Sequence, residues 1–307
     1  LHPAPSIIAF TTLSGLGYGL AAMLGLGLLD PAAAATKIAH VSALALISAG
    51  LLSSTAHLGN PQRAWRALSQ WRSSWLSREG VMAIATFVPL VASAWLSVFE
   101  GRYLALPGLL GAALCLGTVY CTSMIYASLK SVDAWHTPLT SLCYLLFSLA
   151  GGLLAAGFFA LCAGAAARGL LFAALVALAA AWTARNALRQ RMSALVPLSS
   201  PESATGLGPV GRVRLFERPH MTENYLTREM GFRVGRKHAA KLWKIALVAG
   251  GILPGLILLV LLVAGQGGAL AGLAAFVALA CHVAGVLAER WLFFAEARHA
   301  VMNYYGG

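Results

Sequence analysis

The sequence predicts an all-α integral membrane bundle of eight transmembrane helices with one short interfacial amphipathic helix. Of the 307 residues, 59% are hydrophobic and only 10% are charged. A soluble domain with so few charges would expose an apolar surface that aggregates. Apolar segments of about 18 or more residues also recur along the chain, and each is long enough to cross a hydrocarbon core of roughly 30 Å. The lipid bilayer is therefore the expected solvent.

These apolar segments define a single transmembrane domain over residues 1–307. The predicted spans lie at about 7–29, 36–56, 81–99, 104–126, 138–160, 165–184, 242–264 and 268–288. An even number of spans places both termini on one face of the membrane, which we call face A. The connections at 57–80, 127–137 and 185–241 lie on the same face.

Basic residues are distributed very unevenly between the two faces. Of the 22 Lys and Arg residues, only Lys37, Arg102 and Arg168 fall opposite face A, which leaves 19 for face A. By the positive-inside rule, face A and both termini are expected to be cytoplasmic. The net charge of +12 therefore has an explanation in topology, and it predicts no nucleic-acid partner.

The connection at 185–241 is predicted to be a basic extramembrane loop. It contains 11 basic and 4 acidic residues. Thr222 is a candidate N-cap for a helix within the loop, and Gly231 is a candidate for its end. The excess of positive charge suits acidic lipid head groups or the acidic surface of a partner protein.

The ligand patterns of common redox centres do not occur in this sequence. Four of the five cysteines fall within predicted spans, Cys162 lies two residues past the end of the fifth, and none forms a C-x-x-C pair, so we expect no iron–sulfur cluster and no structural zinc. A b-type haem needs two histidines at matching depth on facing helices. The span candidates His40, His57 and His282 differ in predicted depth, with His282 about six residues from face A, so we also expect no haem.

The stretch HLGNPQRAWRALSQWRSSWLSREGV at 57–81 is the densest cluster of polar residues between two spans. Asn60 is a good N-cap and Pro61 suits the first helical position, which predicts a helix over about 61–76. Its aromatic residues Trp65, Trp71 and Trp75 share one face at 100° per residue. This pattern is typical of an amphipathic helix at the membrane interface.

Three arginines of this predicted helix are candidate site residues. Arg63 and Arg66 face away from the tryptophans, toward the lipid head groups. Arg72 breaks the pattern because it points toward the apolar side, where it would need a partner.

His57 and Glu79 flank the predicted interfacial helix and are the leading site candidates. Ser77 is expected to cap the third span, which would put Glu79 in its first turn and near His57 at face A. A histidine and a carboxylate there can exchange the protons of a quinone head group while the isoprenoid tail stays in lipid. An ordinary interfacial histidine and a carboxylate favoured at a helix N-terminus explain the same residues. The sequence leaves both interpretations open.

Four segments resemble signature segments of the membrane anchor subunits of dimethyl sulfoxide reductase-type molybdoenzymes. The same anchor type serves sulfite-oxidising enzymes with the same three-subunit plan. The segments are FTTLSGLGYGL near the N-terminus, the stretch at 57–81, MIYASLKSVDAWHTP at 124–138 and MTENYLTREMGFRVGRKHA at 221–239. The resemblance covers essentially the whole chain.

The resemblance implies a subunit of the bacterial inner membrane that holds no haem or iron–sulfur cluster of its own. Such a subunit exchanges electrons between a pool of menaquinone or ubiquinone and a ferredoxin-like partner with four 4Fe–4S clusters. That partner serves a molybdopterin catalytic subunit. In this family the histidine of HLG and the glutamate of SREG are associated with quinol binding, and they correspond to His57 and Glu79.

Tyr126, Lys130 and His136 are further candidates, because they lie in the segment at 124–138 on face A. They are expected to line the quinone site or to hold the partner subunit. Ordinary interfacial side chains and a loop histidine explain them equally well.

Two other functions remain open from the residues alone. A secondary transporter would show ionisable residues or a broken helix near the bilayer midplane. Pro254 and its neighbouring glycines could break the seventh span, but no carboxylate falls deep inside any predicted span. A structural anchor without a quinone site is the second alternative.

Overall fold

The computed structural model describes residues 3–55, 60–196, 199–214, 216–217, 238–264 and 268–304. In this part of the chain there is no β-strand, and eight helices are long and apolar enough to cross a membrane. They are α1 Pro5–Gly25, α2 Ala34–Thr55, α3 Trp75–Glu100, α4 Ala105–Ala127, α5 Pro138–Cys162, α6 Arg168–Ala194, α7 Ala239–Ala264 and α8 Gly268–Glu296. The predicted all-α fold class with multiple membrane spans is confirmed.

Helices α1 and α5 form the centre of the bundle. Helix α1 contacts α2, α4, α5 and α8, and α5 also contacts α4, α6 and α8. The two central helices meet most closely at Gly19, where an added Cβ would lie 1.9 Å from the carbonyl oxygen of Ser148. Only a glycine allows this approach, which is typical of helix packing in membranes.

The interfacial segment differs from the predicted α-helix over 61–76. Residues Pro61–Gln70 form a 3₁₀ helix, a turn follows, and α3 begins at Trp75 with Ser74 as its extended N-cap residue. A short helix outside the bundle gains little stability from α-helical hydrogen bonds. The extended backbone of Ser74 separates this segment from α3. The prediction that Trp75 belongs to the interfacial helix is therefore wrong.

The tryptophans of this segment are consequently divided between two environments. Trp65 and Trp71 remain on the interfacial segment, where their side chains are 65% and 52% exposed. Trp75 instead lies at the start of α3 and packs edge-to-face on Tyr120 of α4, with 6.0 Å between the ring centroids. Leu68 points from the 3₁₀ helix toward Gly80 of α3.

Helices α6 and α8 continue beyond the ends predicted from hydropathy. The predicted loop at 185–241 begins too early, because α6 remains helical to Ala194. The two extensions pair their charges: Arg185 forms an ion pair with Glu289, and Arg189 lies 3.3 Å from Glu296. Mutual pairing offsets the cost of placing these charges inside the bundle.

Glu289, one residue past the predicted end of the eighth span, lies inside the longer α8, seven residues before its last residue. Its side chain is fully buried within α8, next to the buried Arg290. The longer helix also changes the depth of His282, which lies 14 residues before the last residue of α8. This histidine lies at the midpoint of α8, about 21 Å along the helix axis from each end at ~1.5 Å per residue.

Candidate quinone-binding site

Glu79 is held inside the bundle close to face A. It is the fifth residue of α3, its side chain is only 5% exposed, and its Oε1 accepts a hydrogen bond of 2.5 Å from the Thr122 hydroxyl of α4. Because α3 starts at Trp75, Glu79 does not lie in the first helical turn, contrary to the prediction. The favourable effect of a helix N-terminus on a carboxylate falls off beyond that turn, so this ordinary explanation of Glu79 loses its geometric basis.

A buried carboxyl at this depth is suited to proton exchange. Ionisable groups are expensive to place inside a membrane, and they commonly mark pathways for ions or protons. The Thr122 hydroxyl supplies one charge-compatible hydrogen bond to Glu79. The carboxyl therefore has a defined orientation and limited access to water inside the bundle.

His57 lies outside the described residues. Helix α2 ends at Thr55, two residues before this histidine, and α3 starts at Trp75 on the same face. The prediction that His57 and Glu79 form one site stays a prediction.

The three candidate arginines lie on the exposed surface of the interfacial segment. Arg63, Arg66 and Arg72 are all solvent- or lipid-facing, whereas Glu79 is buried. The Arg72 guanidinium lies over the ring of the adjacent Trp71, 5.5 Å from the ring centroid. These arginines are positioned to contact head groups or a partner protein.

Arg78 is a functional candidate that the sequence analysis missed. Its Nε donates to the Trp71 carbonyl oxygen at 2.9 Å, and its Nη2 donates to the Arg72 carbonyl oxygen at 2.7 Å. The guanidinium also lies 4.3 Å from the ring centroid of Trp75. Arg78 thus fastens the interfacial segment to α3 directly beside Glu79. Arg78 belongs to the SREG motif that also contains Glu79, so this motif could have indicated Arg78 from the sequence.

The other three candidates do not come together in one place. Tyr126 is buried in an aromatic cluster with Trp135, Tyr144, Phe293 and Phe294, at centroid distances of 5.4 to 5.7 Å. Lys130 and His136 instead lie exposed on the connection between α4 and α5. His136 Nδ1 donates to the Ala127 carbonyl oxygen at 2.7 Å, because a carbonyl can only accept. Tyr126 supports the packing of face A, and Lys130 and His136 face outward.

A polar cavity inside the bundle was also absent from the sequence analysis. It lies among α1, α4, α5 and α8, and its wall includes Thr122, Tyr144, His282 and Arg290. Thr122 is therefore shared between the cavity and the hydrogen bond to Glu79. Within the described ranges, no cluster of three or more His, Cys, Asp and Glu side chains is arranged to hold a metal ion.

Comparisons with known proteins identify the family. The model of the family described as DMSO reductase anchor subunit (DmsC) matches residues 1–295. The C subunit of sulfite dehydrogenase from Allochromatium vinosum is 33% identical over 327 aligned residues, which cover 99% of this chain and 99% of that protein. The C chain of anaerobic dimethyl sulfoxide reductase from Haemophilus influenzae is 32% identical over 117 residues, or 36% of this chain and 40% of that protein. The chain belongs to the family of DMSO reductase anchor subunits.

Proposed function

We propose that this chain binds quinone at face A and exchanges electrons between the quinone pool and an iron–sulfur subunit of a molybdenum enzyme. Family membership supports the role of an anchor. The single observation that supports a quinone site is the buried Glu79 carboxyl, which is oriented by Thr122 beside an interfacial segment rich in tryptophan and arginine. The relatives' names indicate a sulfite dehydrogenase or an S-oxide reductase as the complex.

The proposed chemistry is a coupled release or uptake of protons and electrons. Oxidation of a quinol releases two electrons and two protons, and reduction of a quinone takes up the same number. His57 hydrogen-bonds one quinone oxygen, and Glu79 exchanges a proton with the ring hydroxyl and with water. The electrons pass directly to the nearest cluster of the partner subunit at face A.

The interfacial segment provides the surroundings that such a site needs. Trp65 and Trp71 are exposed at the level where aromatic rings favour the membrane–water boundary. The quinone tail stays among lipid chains while its head group enters beside the start of α3. Arg78 keeps this segment close to Glu79.

The iron–sulfur partner is proposed to dock on face A. Exposed basic side chains on that face include Arg63, Arg66, Arg72 and Lys130, which favour an acidic partner surface. Two of the 19 basic residues assigned to face A, Arg185 and Arg290, are buried and do not contribute to this surface. The remaining 17 still far exceed the three on the opposite face, so a cytoplasmic face A in the bacterial inner membrane remains the proposed orientation.

A transporter gains no support from the buried Glu289. That carboxylate is paired with Arg185 and adjoins Arg290, so it does not present an open ion site. The proposal of an electron-transferring anchor is therefore retained.

The proposal is tested by replacing Glu79 in the assembled complex. Glu79→Gln keeps the shape and the hydrogen bond from Thr122 but cannot titrate, so quinol-dependent turnover should fall at least about tenfold. Activity with a dye that reduces the soluble subunits directly should be unchanged. Glu100→Gln is the matched control, because Glu100 lies at the opposite end of α3 and, among the residues that the structure describes, pairs with the exposed Arg102 alone. Equal quinol-dependent rates in the two variants would overturn the role of Glu79.

A further inference from the structure

The cavity among α1, α4, α5 and α8 has a wall that is mainly apolar by area but carries several polar groups. The space open to the centre of a water-sized sphere is about 30 Å³. The volume that such a sphere sweeps is larger than the space open to its centre, and one water molecule needs roughly 10–15 Å³ of swept volume, so the cavity has room for ordered water. The polar side chains that line the cavity are Thr12, Thr122, Tyr144, Ser148, His282 and Arg290.

Some polar atoms at this cavity are buried without a protein partner. Thr12 Oγ1 and Arg290 Nη1 have no hydrogen-bond partner among the described residues, and the polar neighbour of the Tyr144 hydroxyl is the Arg290 side chain. Each of them can donate a hydrogen bond. A buried donor without a partner is energetically costly, and ordered water in a cavity with polar groups in its wall can accept the hydrogen bond.

The orientation of His282 is fixed by a proline one helix away. Pro254 has no N–H group, so the carbonyl of Gly250, four residues earlier in α7, loses its helical partner. A π-helical turn at Val248–Ile252 contains this carbonyl, which instead accepts from Trp182 Nε1 at 3.0 Å and from His282 Nδ1 at 2.9 Å. Pro254 thus changes the hydrogen-bond pattern of α7 without breaking the span.

The hydrogen bond to Gly250 determines which ring nitrogen of His282 can accept a hydrogen bond in the cavity. A carbonyl oxygen can only accept, so Nδ1 carries the proton and Nε2 of the neutral ring has a free lone pair. Nε2 lies on the side of Gly151, a residue that also lines the cavity. His282 therefore adds an acceptor to the donors supplied by Thr12, Tyr144 and Arg290.

Thr122 provides the second acceptor. Its hydroxyl has one proton, for which Glu79 Oε1 at 2.5 Å and the Thr118 carbonyl oxygen at 3.0 Å are both acceptors within reach, and the lone pairs of the same oxygen remain for a donor in the cavity. A water molecule accepts two hydrogen bonds and donates two. The cavity wall offers both kinds of partner.

We propose that this cavity is a binding site for ordered water that hydrogen-bonds Thr122, Tyr144, Arg290 and His282, and that this water keeps the Thr122 hydroxyl directed at Glu79. Thr122 is then a positioning residue for the Glu79 carboxyl. The water site stands independently of the proposed function. Its effect on turnover rests on the role proposed for Glu79.

The direct test is a cryo-electron microscopy structure of the assembled complex at a resolution that shows ordered water. Density for one or two water molecules within hydrogen-bond distance of Thr122 Oγ1 and Arg290 Nη1 supports the site. An empty cavity, or density for a lipid chain or a quinone ring, overturns it. This outcome is independent of whether Glu79→Gln slows quinol-dependent turnover, so the two proposals fail separately.

The positioning role is tested with three threonine variants. Thr122→Val keeps the shape and removes the hydroxyl, and it should lower quinol-dependent turnover about tenfold with unchanged dye-dependent activity. Thr122→Ser should restore the wild-type rate, because it restores the hydroxyl. Thr118→Val is the control: Thr118 lies one turn away on α4 and is hydrogen-bonded to Thr86 at 3.0 Å, outside the cavity wall. Equal rates in Thr122→Val and Thr118→Val, or no rescue by serine, contradict the positioning role.

Discussion

Arg185 of α6 and Glu289 of α8 form an ion pair in which both side chains are fully buried. Arg290 extends the pair on one side, with its Nε 3.5 Å from Glu289 Oε2, and Glu296 extends it on the other, 3.8 Å from Arg185. The guanidinium of Arg185 also lies 5.5 Å from the ring centroid of Trp243 at the start of α7. This network joins α6, α7 and α8 near face A.

Removal of one partner of this pair should destabilise the bundle strongly. Glu289→Gln leaves the buried Arg185 without its main counter-charge, and loss of one partner in a buried pair costs about 3–5 kcal/mol. The free energy of unfolding in detergent or bilayers measures this change. The double variant Arg185→Met/Glu289→Leu should be less destabilised than Glu289→Gln, because it removes Arg185 together with its counter-charge, whereas the buried Arg290 loses Glu289 in both variants. A single variant as stable as the exposed control Glu100→Gln contradicts a structural role for the pair.

The contact between α1 and α5 predicts opposite effects for two glycines of one helix. Gly19→Ala places a Cβ against the Ser148 carbonyl oxygen and should destabilise the protein by about 1–3 kcal/mol. Gly15→Ala meets no atom within 4 Å and removes a poor helix former, so it should be neutral or slightly stabilising. Thermal denaturation of the two purified variants distinguishes them. Similar losses in both would mean that this close approach is not made.

Arg78 is predicted to hold the interfacial segment against α3. Arg78→Lys cannot bond both the Trp71 and Arg72 carbonyl oxygens with the same planar fork. Hydrogen exchange over residues 61–74 should therefore become faster, while the exchange of α4 is unchanged. Arg63→Lys is the control on the exposed surface of the same segment, and protection equal to that control would remove this role from Arg78.

The orientation of the chain is predicted from its charges. Reporter domains fused within 200–210 should fold and function in the cytoplasm, because this connection lies on the basic face. A fusion within 101–104, on the opposite face, is the matched control and should be active only as an export-dependent reporter. The reverse pattern would place face A outside the cytoplasm and move the proposed docking surface with it.

The sequence predicted the fold class better than the ends of its helices. Hydropathy identifies a span because lipid cannot satisfy exposed charge, but it cannot show that Arg185 and Glu289 satisfy one another across two helices. The spans α6 and α8 were therefore predicted too short. Ser77 is not the cap of α3, because Ser74 has the extended backbone that precedes the helix.

The candidate site was predictable only where its residues are close in sequence. Glu79 was found from the motif that contains it, and its neighbour Arg78 could have been. The hydrogen bond from Thr122 and the cavity near His282 depend on side chains contributed by separate helices. No spacing within one segment encodes those contacts.

The central claim is that a quinone head group binds beside Glu79 at face A. The most direct measurement is photolabelling of the assembled complex with an azido-quinone, followed by mass spectrometry of the labelled peptides and competition with unmodified quinol. The account predicts competed labels within 57–81 and near Thr122 on α4, and it predicts that Glu79→Gln weakens labelling more than Glu100→Gln. Competed labels confined to the opposite face, around His40 and Tyr103, would contradict the account.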